Sequence, residues 1–262
     1  KNRDDSIDMK FIRFRFLKNE YYGLLHNQQV RVYSDAPWNG GKPLDQLVSI
    51  NDAVLLSPCQ PGKVIAAAIN YPGITGLTEK TNEPLVFIKP SSSVIGPDET
   101  IVSPFNDVLV WGECELGIVI GNKLSKATTE EAQSAIFGYT IGNDVSCENV
   151  LERDHHLARS KAADTFCVLG PWIDTEFSPD QQMISGYHNE SLLREGHLNE
   201  RLWKEVELIK WLSTWITLEP GDVVLTGAPS RVRDREYLKN GDNFRCVIEG
   251  LGELSNPFKL AV

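Results

Sequence analysis

The sequence predicts a fold made mainly of β-strands with a few helices, and three observations support this. Short apolar or alternating runs recur along the chain, for example at residues 10–16, 63–70 and 85–90, and this pattern is typical of strands. Helical spacing of apolar residues is confined to two segments, 128–138 and 200–216. A length of 262 residues is enough for a full core, either in one large domain or in a small domain joined to a larger one.

The first sixty residues predict a small β-rich domain. Three short strands separated by turn-rich segments are predicted at residues 10–16, 21–25 and 30–33. Residues 44–49 are predicted as a short helix, and the proline-rich junction 57–63 places a boundary near residue 60. The predicted units are therefore an N-terminal β domain, 9–60, and a larger domain, 61–262. Residues 1–8 are polar and aperiodic, and we expect them to be a tail or a remnant of cloning.

The larger domain opens with a strand and a polar loop. Residues 63–70 form a continuous apolar run, whereas residues 71–83 contain a proline and two glycines that discourage a helix. The position of this loop between two strands predicts a lid over a site. Thr128 and Glu131 fit a capping box that opens one helix, and residues 200–216 predict a second, amphipathic helix.

Charge and cysteine content narrow the class of protein. The chain has 26 basic and 36 acidic residues, a net charge of −10, and its basic residues are scattered, which argues against nucleic-acid binding. No run approaches the roughly 18 apolar residues of a membrane span. We expect no signal peptide, and we expect the five unpaired cysteines to be buried thiols in a reducing cytoplasm.

Three acidic residues form the most informative pattern in the chain. Glu113 and Glu115 lie two residues apart in a strand-like run, so their side chains project from the same face. The rest of that face is small or apolar, and Asp144 ends a second apolar run that would supply a third carboxylate. Like charges in an enclosed site either raise one pKa or bind a cation. Three carboxylates suit a hard ion, with Mg²⁺ or Mn²⁺ favoured and Ca²⁺ as an alternative.

The E-x-E pattern alone also fits an ordinary strand with its polar residues facing outward. Further motifs follow it in order, at residues 143–146 (NDVS), 161–166 (KAADTF), 218–229 (LEPGDVVLTGAP) and 250–257 (GLGELSNP). With these motifs, the chain from about Pro61 to Pro257 resembles the fumarylacetoacetate hydrolase family. The resemblance implies a mixed β-sandwich roll, α+β overall, with a small N-terminal β-rich domain, usually assembled as a homodimer.

The resemblance also implies roles for individual residues. Glu113, Glu115 and Asp144 would hold a divalent ion that polarises the carbonyl of a small 2-oxo acid or 1,3-diketo acid and stabilises the enolate. Lys161 would add a cation near the ligand, and Asp164 would orient Lys161. The remaining implied contacts are with the substrate, through Thr226 and Gly227, through Asn70 and Tyr71 of the N-Y motif, and through His156 as a polar contact or general acid.

The chain departs from the family pattern where hydrolytic members activate water. Those members carry a His and a Glu shortly after the N-Y motif, and the matching positions here are Ile74 and Leu77. Loss of a general base costs on the order of 10²- to 10⁴-fold where the reaction depends on it. Glu79 or His156 are the available substitutes, although neither matches by position. At two further positions, Ala228 replaces a common Thr and Glu148 replaces a common Arg.

The resulting interpretation is a metal-dependent decarboxylase or keto-enol isomerase of a small 2-oxo acid, because neither reaction needs an attacking water. It resembles the aromatic-catabolism and oxaloacetate-decarboxylating branches of the family. One alternative is a carbon-carbon bond hydrolase of the acylpyruvate or fumarylacetoacetate type with a relocated base. Another is a catalytically silent protein that binds metal and oxo acids. The expected partners are a small anionic oxo acid and a second copy of the chain, without nucleic acid or membrane.

Overall fold

A computed structural model describes residues 9–76 and 79–261, which form nineteen strands and three α-helices. The strands are β1 Lys10–Phe16, β2 Asn19–His26, β3 Gln29–Tyr33, β4 Pro43–Ser49, β5 Val54–Leu55, β6 Lys63–Ala68, β7 Leu85–Pro90, β8 Val94–Ile95, β9 Ile101–Ser103, β10 Val110–Trp111, β11 Cys114–Ile120, β12 Ile136–Asp144, β13 Ser146–Cys147, β14 Cys167–Asp174, β15 Met183–His188, β16 Ser191–His197, β17 Val223–Leu225, β18 Asn243–Ile248 and β19 Gly252–Leu260. The helices are α1 Thr129–Ser134, α2 Ala158–Lys161 and α3 Glu205–Ser213. Short 3₁₀ turns occupy Pro37–Asn39, Ile50–Asp52, Ile74–Gly76, Ser91–Ser93, Val150–Glu152 and Leu198–Glu200.

Two large sheets organise the molecule. The first has the strand order β4-β3-β2-β1-β14-β12-β11-β17-β6-β7, with β5 and β8 attached to β1 and β14, and the second has the order β16-β15-β18-β19-β9. Apolar residues of β11, β12 and β14 pack against those of β15, β18 and β19, so one core lies between the sheets. The mixed sheets and small helical content confirm the predicted α+β sandwich.

The N-terminal strands extend the first sheet, because β1 pairs with β14 through Lys10↔Asp174 and Phe11↔Ile173. The three predicted strands in this part are confirmed as β1, β2 and β3. The predicted helix at 44–49 is wrong, since the segment forms β4 and pairs with β3. Pairing with a neighbouring strand has outweighed local propensity there. The boundary near residue 60 stays a prediction, and the predicted tail lies outside the described residues.

Helices α1 and α3 cover part of the first sheet. Leu208, Ile209 and Leu212 of α3 are fully buried against apolar residues of β6, β11 and β17. The predicted amphipathic helix is confirmed, although it runs only from Glu205 to Ser213. The predicted capping box is also present at the start of α1.

Replacing Thr128 with alanine is expected to lower the free energy of unfolding by about 1 kcal/mol, a typical cost for losing an N-cap side chain. Thr128 Oγ1 accepts a hydrogen bond from Glu131 N at 3.2 Å, and Glu131 Oε2 accepts one from Thr128 N at 2.8 Å. Urea denaturation measures the change. Thr128→Ser keeps the hydroxyl and should retain most of the stability; equal stability of the alanine variant and the wild type would contradict the assignment.

The five cysteines are all free and buried, as predicted. Within the described part of the chain, no helix is both long and apolar enough to cross a membrane.

Candidate metal centre

Strand pairing brings the three predicted carboxylates together. In the antiparallel pair β11 and β12, Cys114 lies opposite Asn143 and Glu115 opposite Gly142. Glu113 directly precedes β11 and Asp144 ends β12, and Asp144 N donates to Glu113 O at 2.9 Å. Ligand atoms of Glu113, Glu115 and Asp144 therefore lie within 4.8 Å of one another.

Hydrogen bonds fix the orientation of the two glutamates. Glu113 Oε1 accepts bonds from Trp111 Nε1 at 3.1 Å and from Arg194 Nη2 at 3.0 Å. Glu115 is almost fully buried, and its Oε2 accepts a bond from Gly227 N at 2.8 Å. Each carboxylate is thus held by one group from a distant part of the sequence, Arg194 for Glu113 and Gly227 for Glu115.

Two lysines, the mostly buried Lys161 and the fully buried Lys89, contact the same cluster. Lys161 Nζ donates to Asp144 Oδ2 at 2.5 Å, to Glu113 Oε2 at 3.0 Å and to Ser146 Oγ at 2.6 Å. Lys89 is fully buried and donates to Asp144 Oδ1 at 2.5 Å and to Val145 O at 3.0 Å. Asp144 therefore accepts a hydrogen bond from an ammonium group on each of its oxygens.

The shared environment moves the pKa values of neighbouring groups in opposite directions. Burial alone would raise the pKa of Glu113, but the charges of Lys161 and Arg194 outweigh it and lower the pKa to about 2. Burial raises the pKa of Glu115 well above its usual value, and the charges of Asp144 and Glu113 add to that effect. Burial would lower the pKa of Lys161, but Asp144 and Glu113 raise it above its ordinary value. Lys161 therefore stays protonated at neutral pH.

The chemistry of the cluster fits a hard divalent ion. Its three ligand residues offer only carboxylate oxygens, the donors that Mg²⁺, Mn²⁺ and Ca²⁺ prefer. Burial and, after it, repulsion from Asp144 and Glu113 raise the pKa of Glu115, and a bound cation would relieve the repulsion. Glu113, Glu115 and Asp144 are therefore the residues that would hold such an ion.

A cavity of about 370 Å³ opens onto the carboxylates. One part of its wall is apolar and includes Ile69, Ile74, Phe87, Leu157 and Ala228. The other part is charged and consists of Glu113, Glu115, Asp144, Lys161, Arg194, Arg231 and Arg235, with Ser230 beside them. Its size is within the range of small-molecule sites.

Comparison with known proteins identifies the family. Residues 63–259 match the family described as fumarylacetoacetate (FAA) hydrolase, C-terminal. The chain belongs to this family. The match covers most of the chain and confirms the resemblance carried by the sequence motifs, and residues 9–58 match a second family, described as Rv2993c-like, N-terminal.

Several members of the family are similar over most of their length. The chain is 35% identical to Protein Rv2993c of Mycobacterium tuberculosis (strain ATCC 25618 / H37Rv) over 211 residues, 79% of this chain and 78% of that protein. It is 35% identical to the mitochondrial oxaloacetate tautomerase fahd2 of Xenopus laevis over 225 residues, 80% of this chain and 70% of that protein. The structure of 5-carboxymethyl-2-hydroxymuconate delta-isomerase from Mycobacterium smegmatis superposes with a TM-score of 0.89 at 30% identity, over 97% of this chain and 100% of that one.

The position that carries a histidine in hydrolytic family members is apolar here. Ile74 lines the cavity, whereas Leu77, the second departure, lies outside the described residues. The predicted substitutes, Glu79 and His156, are both exposed, and neither belongs to the described lining. The three carboxylates of the cluster are therefore the only acidic side chains in the described lining, and no histidine joins them.

Three further predicted site residues do not belong to the described lining of the cavity. Asp164 is exposed in the turn after α2, and Lys161 bonds instead to the cluster and Ser146. Thr226 is fully buried and donates to Leu116 O at 2.9 Å. Gly227 N donates to Glu115, so Gly227 positions a carboxylate, and the substrate contacts of Thr226 and Gly227 stay a prediction.

The N-Y pair does not belong to the described lining of this cavity either, although Asn70 lines a second cavity next to it. The Asn70 side chain donates to Thr226 O at 2.7 Å and to Trp203 O at 3.0 Å, and accepts from Trp203 N at 2.7 Å. Tyr71 is 2% exposed and packs in the core between the sheets. Asn70 therefore ties two chain segments together and Tyr71 fills the core, and their predicted contacts with the substrate stay a prediction.

Sequence reasoning missed three arginines at this site. Arg194 lies in β16, and Arg231 and Arg235 lie in the segment between β17 and β18, where their basic character alone resembles a solvated surface. Burial lowers the pKa of Arg235; Glu113 acts in the opposite direction, but the charges of Arg231 and Arg194 lower it further. Glu148 stands where an arginine is common in the family, and its Oε1 accepts a hydrogen bond from Leu109 N at 3.2 Å. The three cavity arginines therefore supply positive charge although position 148 does not.

Metal affinity is expected to rise with pH until the raised pKa of Glu115 is passed, and to level off above it. A protonated carboxyl must lose its proton before it binds a cation, so binding below that pKa releases about one proton. Glu113, with a pKa of about 2, stays ionised throughout. Calorimetric titration with Mg²⁺ between about pH 5.5 and about pH 8, in two buffers of different ionisation enthalpy, measures both quantities. A pH-independent affinity without proton release would contradict the coupling.

Proposed function

We propose that this protein is a divalent-metal-dependent enzyme that isomerises a small 2-oxo acid between its keto and enol forms. The alternative reaction is decarboxylation of such an acid, which also requires stabilisation of the negative charge that develops on the 2-oxygen. The observation that carries the proposal is the carboxylate cluster itself, set in a cavity with a charged lysine and an apolar wall at Ile74. Relatives named as an oxaloacetate tautomerase and a delta-isomerase support isomerisation.

Lys161 is the residue that acts on the developing charge. A bound divalent ion would supply Lewis-acid polarisation of the substrate carbonyl. Lys161 keeps its proton because Asp144 and Glu113 raise its pKa, so it supplies a positive charge beside the substrate and does not act as a base. When a bond at carbon 3 of the acid breaks, negative charge develops on the 2-oxygen, and a fixed ammonium nearby stabilises it.

Isomerisation between the keto and enol forms moves only protons and needs no water molecule as a nucleophile. The keto form loses a proton from carbon 3 to water, and its 2-oxygen gains one from water, so no atom is consumed. Hydrolysis requires a base that generates the nucleophile. Ile74 cannot accept a proton, and Glu79 and His156 lie outside the described lining. This difference favours isomerisation over carbon-carbon bond hydrolysis.

Product analysis distinguishes the reactions. Metal-stripped protein, with and without added Mn²⁺, is mixed with freshly dissolved enol-oxaloacetate or with acetylpyruvate, and proton NMR and ultraviolet absorbance follow the products. A blank with Mn²⁺ and no protein corrects for decarboxylation by the free ion. We expect manganese-dependent loss of the enol absorbance, and no acetate from acetylpyruvate.

Other products would favour one of the alternative functions. Pyruvate from oxaloacetate above the blank would favour the decarboxylase. Acetate and pyruvate from acetylpyruvate would establish the hydrolase and overturn the proposal. Tight oxalate binding without turnover of either acid would favour the silent binding protein.

Assembly and compartment complete the proposal. We propose a homodimer in the cytoplasm that acts on a small anionic acid and binds neither nucleic acid nor membrane. The scattered basic residues argue against nucleic-acid binding, the five buried thiols fit a reducing compartment, and the dimer follows the resemblance to the family. Size-exclusion chromatography with light scattering tests the dimer.

A further inference from the structure

The peptide unit that joins Thr226 to Gly227 is hydrogen-bonded on both of its sides. Gly227 N donates to Glu115 Oε2 at 2.8 Å, and Thr226 O accepts from Asn70 Nδ2 at 2.7 Å. The C=O and N–H groups of a planar trans peptide point in opposite directions, so Asn70 and Glu115 contact opposite sides of one rigid unit. Asn70 therefore reaches a ligand residue of the carboxylate cluster through a single peptide.

The side chain of Asn70 is itself fixed by a third chain segment. Asn70 is 1% exposed, its Oδ1 accepts from Trp203 N at 2.7 Å, and its Nδ2 donates to Trp203 O at 3.0 Å as well as to Thr226 O. The backbone N–H of Trp203 can pair only with the amide oxygen, so this contact determines which amide atom is the donor. The Nδ2 group is thereby directed at Thr226 O.

The backbone on both sides of the contact is close-fitting and strained. Gly227 has a φ of +92°, and a Cβ atom at this position would lie 2.8 Å from Asn70 Cβ. Ile69, directly before Asn70, has a φ of +56°, a conformation that a β-branched residue rarely adopts. Strain of this kind persists where surrounding contacts determine the backbone, and it is frequent at functional sites. Here it accompanies the placement of Asn70 against the peptide that binds Glu115.

We propose that Asn70 is a positioning residue of the metal centre and acts on Glu115 through the Thr226–Gly227 peptide. This inference rests on the metal binding in the proposed function. A hydrogen bond to the carbonyl oxygen of a peptide polarises the peptide and strengthens the bond that its N–H donates. Asn70 therefore helps to hold the carboxylate of Glu115 in its orientation within the cluster.

The affinity of Asn70→Ala for Mn²⁺ tests this role, measured by calorimetric titration of the metal-stripped protein. Loss of a residue that hydrogen-bonds to a ligand costs about 10- to 100-fold in metal affinity, and Asn70 acts one bond further away, so we expect a loss of about tenfold. Asn256→Ala is the matched control, because Asn256 is fully buried and donates to Gly96 O and to Glu99 O, each at 2.9 Å. Both variants should be less stable in urea, but only Asn70→Ala should bind Mn²⁺ more weakly.

A double variant separates positioning from general damage to the site. Glu115→Ala removes the carboxylate through which Asn70 acts, so adding Asn70→Ala to it should change the Mn²⁺ affinity by less than about twofold. Wild-type affinity in Asn70→Ala, or an equal loss in the two backgrounds, would overturn the positioning role while the proposed function stands. Wild-type affinity in Glu115→Ala would remove the ligand itself, and both proposals would fail.

A measurement on the wild-type protein applies even if Asn70→Ala does not fold. Addition of Mg²⁺ to the metal-stripped protein should shift the NMR resonances of the Gly227 backbone amide and of the Asn70 side-chain amide. The side-chain amide of Asn256 should not shift. Unshifted Gly227 and Asn70 resonances in protein saturated with Mg²⁺ would overturn the positioning role.

Discussion

Replacing Glu115 with glutamine is expected to lower the affinity for Mn²⁺ by about 100-fold or more without lowering the stability of the metal-free protein. Removing one of the three ligand charges weakens the binding of a hard cation more than losing a residue that only hydrogen-bonds to a ligand. Loss of such a hydrogen-bonding residue already lowers metal affinity by about 10- to 100-fold. The amide retains an oxygen for Gly227 N, which bonds to Glu115 at 2.8 Å. It also removes the repulsion from Asp144 and Glu113 that contributes to the raised pKa of Glu115.

The stability of the metal-free protein gives this prediction a second measurement. The pKa of Glu115 is higher in the folded protein than in the unfolded chain, so protonation of Glu115 stabilises the folded protein. This stabilisation is complete below the unfolded pKa, and it is lost as the pH rises through the folded pKa. The wild type should lose stability over that range, and Glu115→Gln should lose less. Glu219→Gln, at a half-exposed glutamate paired with Lys123, is the control. Wild-type manganese affinity in Glu115→Gln would contradict the ligand assignment.

Replacing Lys89 with methionine is expected to lower the free energy of unfolding by about 3 kcal/mol, the lower end of the cost of breaking a buried ion pair. Lys89 is fully buried and its ammonium lies 2.5 Å from Asp144 Oδ1. Its removal leaves a buried oxygen of Asp144 without a donor, while Lys161 still holds the other oxygen. Urea denaturation of the metal-free protein measures the loss.

The control for Lys89 is an exposed lysine in a similar pair. Lys123 lies 3.1 Å from Glu219, but both side chains are largely in solvent, and such pairs contribute about 0 to 1 kcal/mol. Lys123→Met should therefore have little effect. Equal losses in the two variants would show that burial of the Lys89 pair is not what stabilises it.

The carboxylate cluster could be predicted from the sequence because it depends on local geometry. Glu113 and Glu115 lie two residues apart in an extended chain, so their side chains project from one face. The end of the neighbouring apolar run places Asp144 beside them once β11 and β12 pair. The capping box of α1 and the buried thiols were predictable for the same reason, since each follows from neighbouring residues or from composition.

The arginines and the T-G pair depend on contacts between distant segments. Arg194 meets Glu113 across 81 residues of sequence, and Gly227 meets Glu115 across 112. Neither contact leaves a local pattern, because an arginine in a strand looks the same whether it faces water or a cavity. The segment 44–49 shows a related limit, since only pairing with β3 makes it a strand.

Diffraction from crystals grown with Mn²⁺, collected at an energy where manganese scatters anomalously, tests the central claim most directly. We expect one anomalous peak within about 2.0 to 2.6 Å of a carboxylate oxygen from each of Glu113, Glu115 and Asp144. We also expect Lys161 Nζ to remain at the edge of the same cavity. An absence of any peak at this cluster in crystals that contain manganese, or a peak held by other residues, would contradict the account.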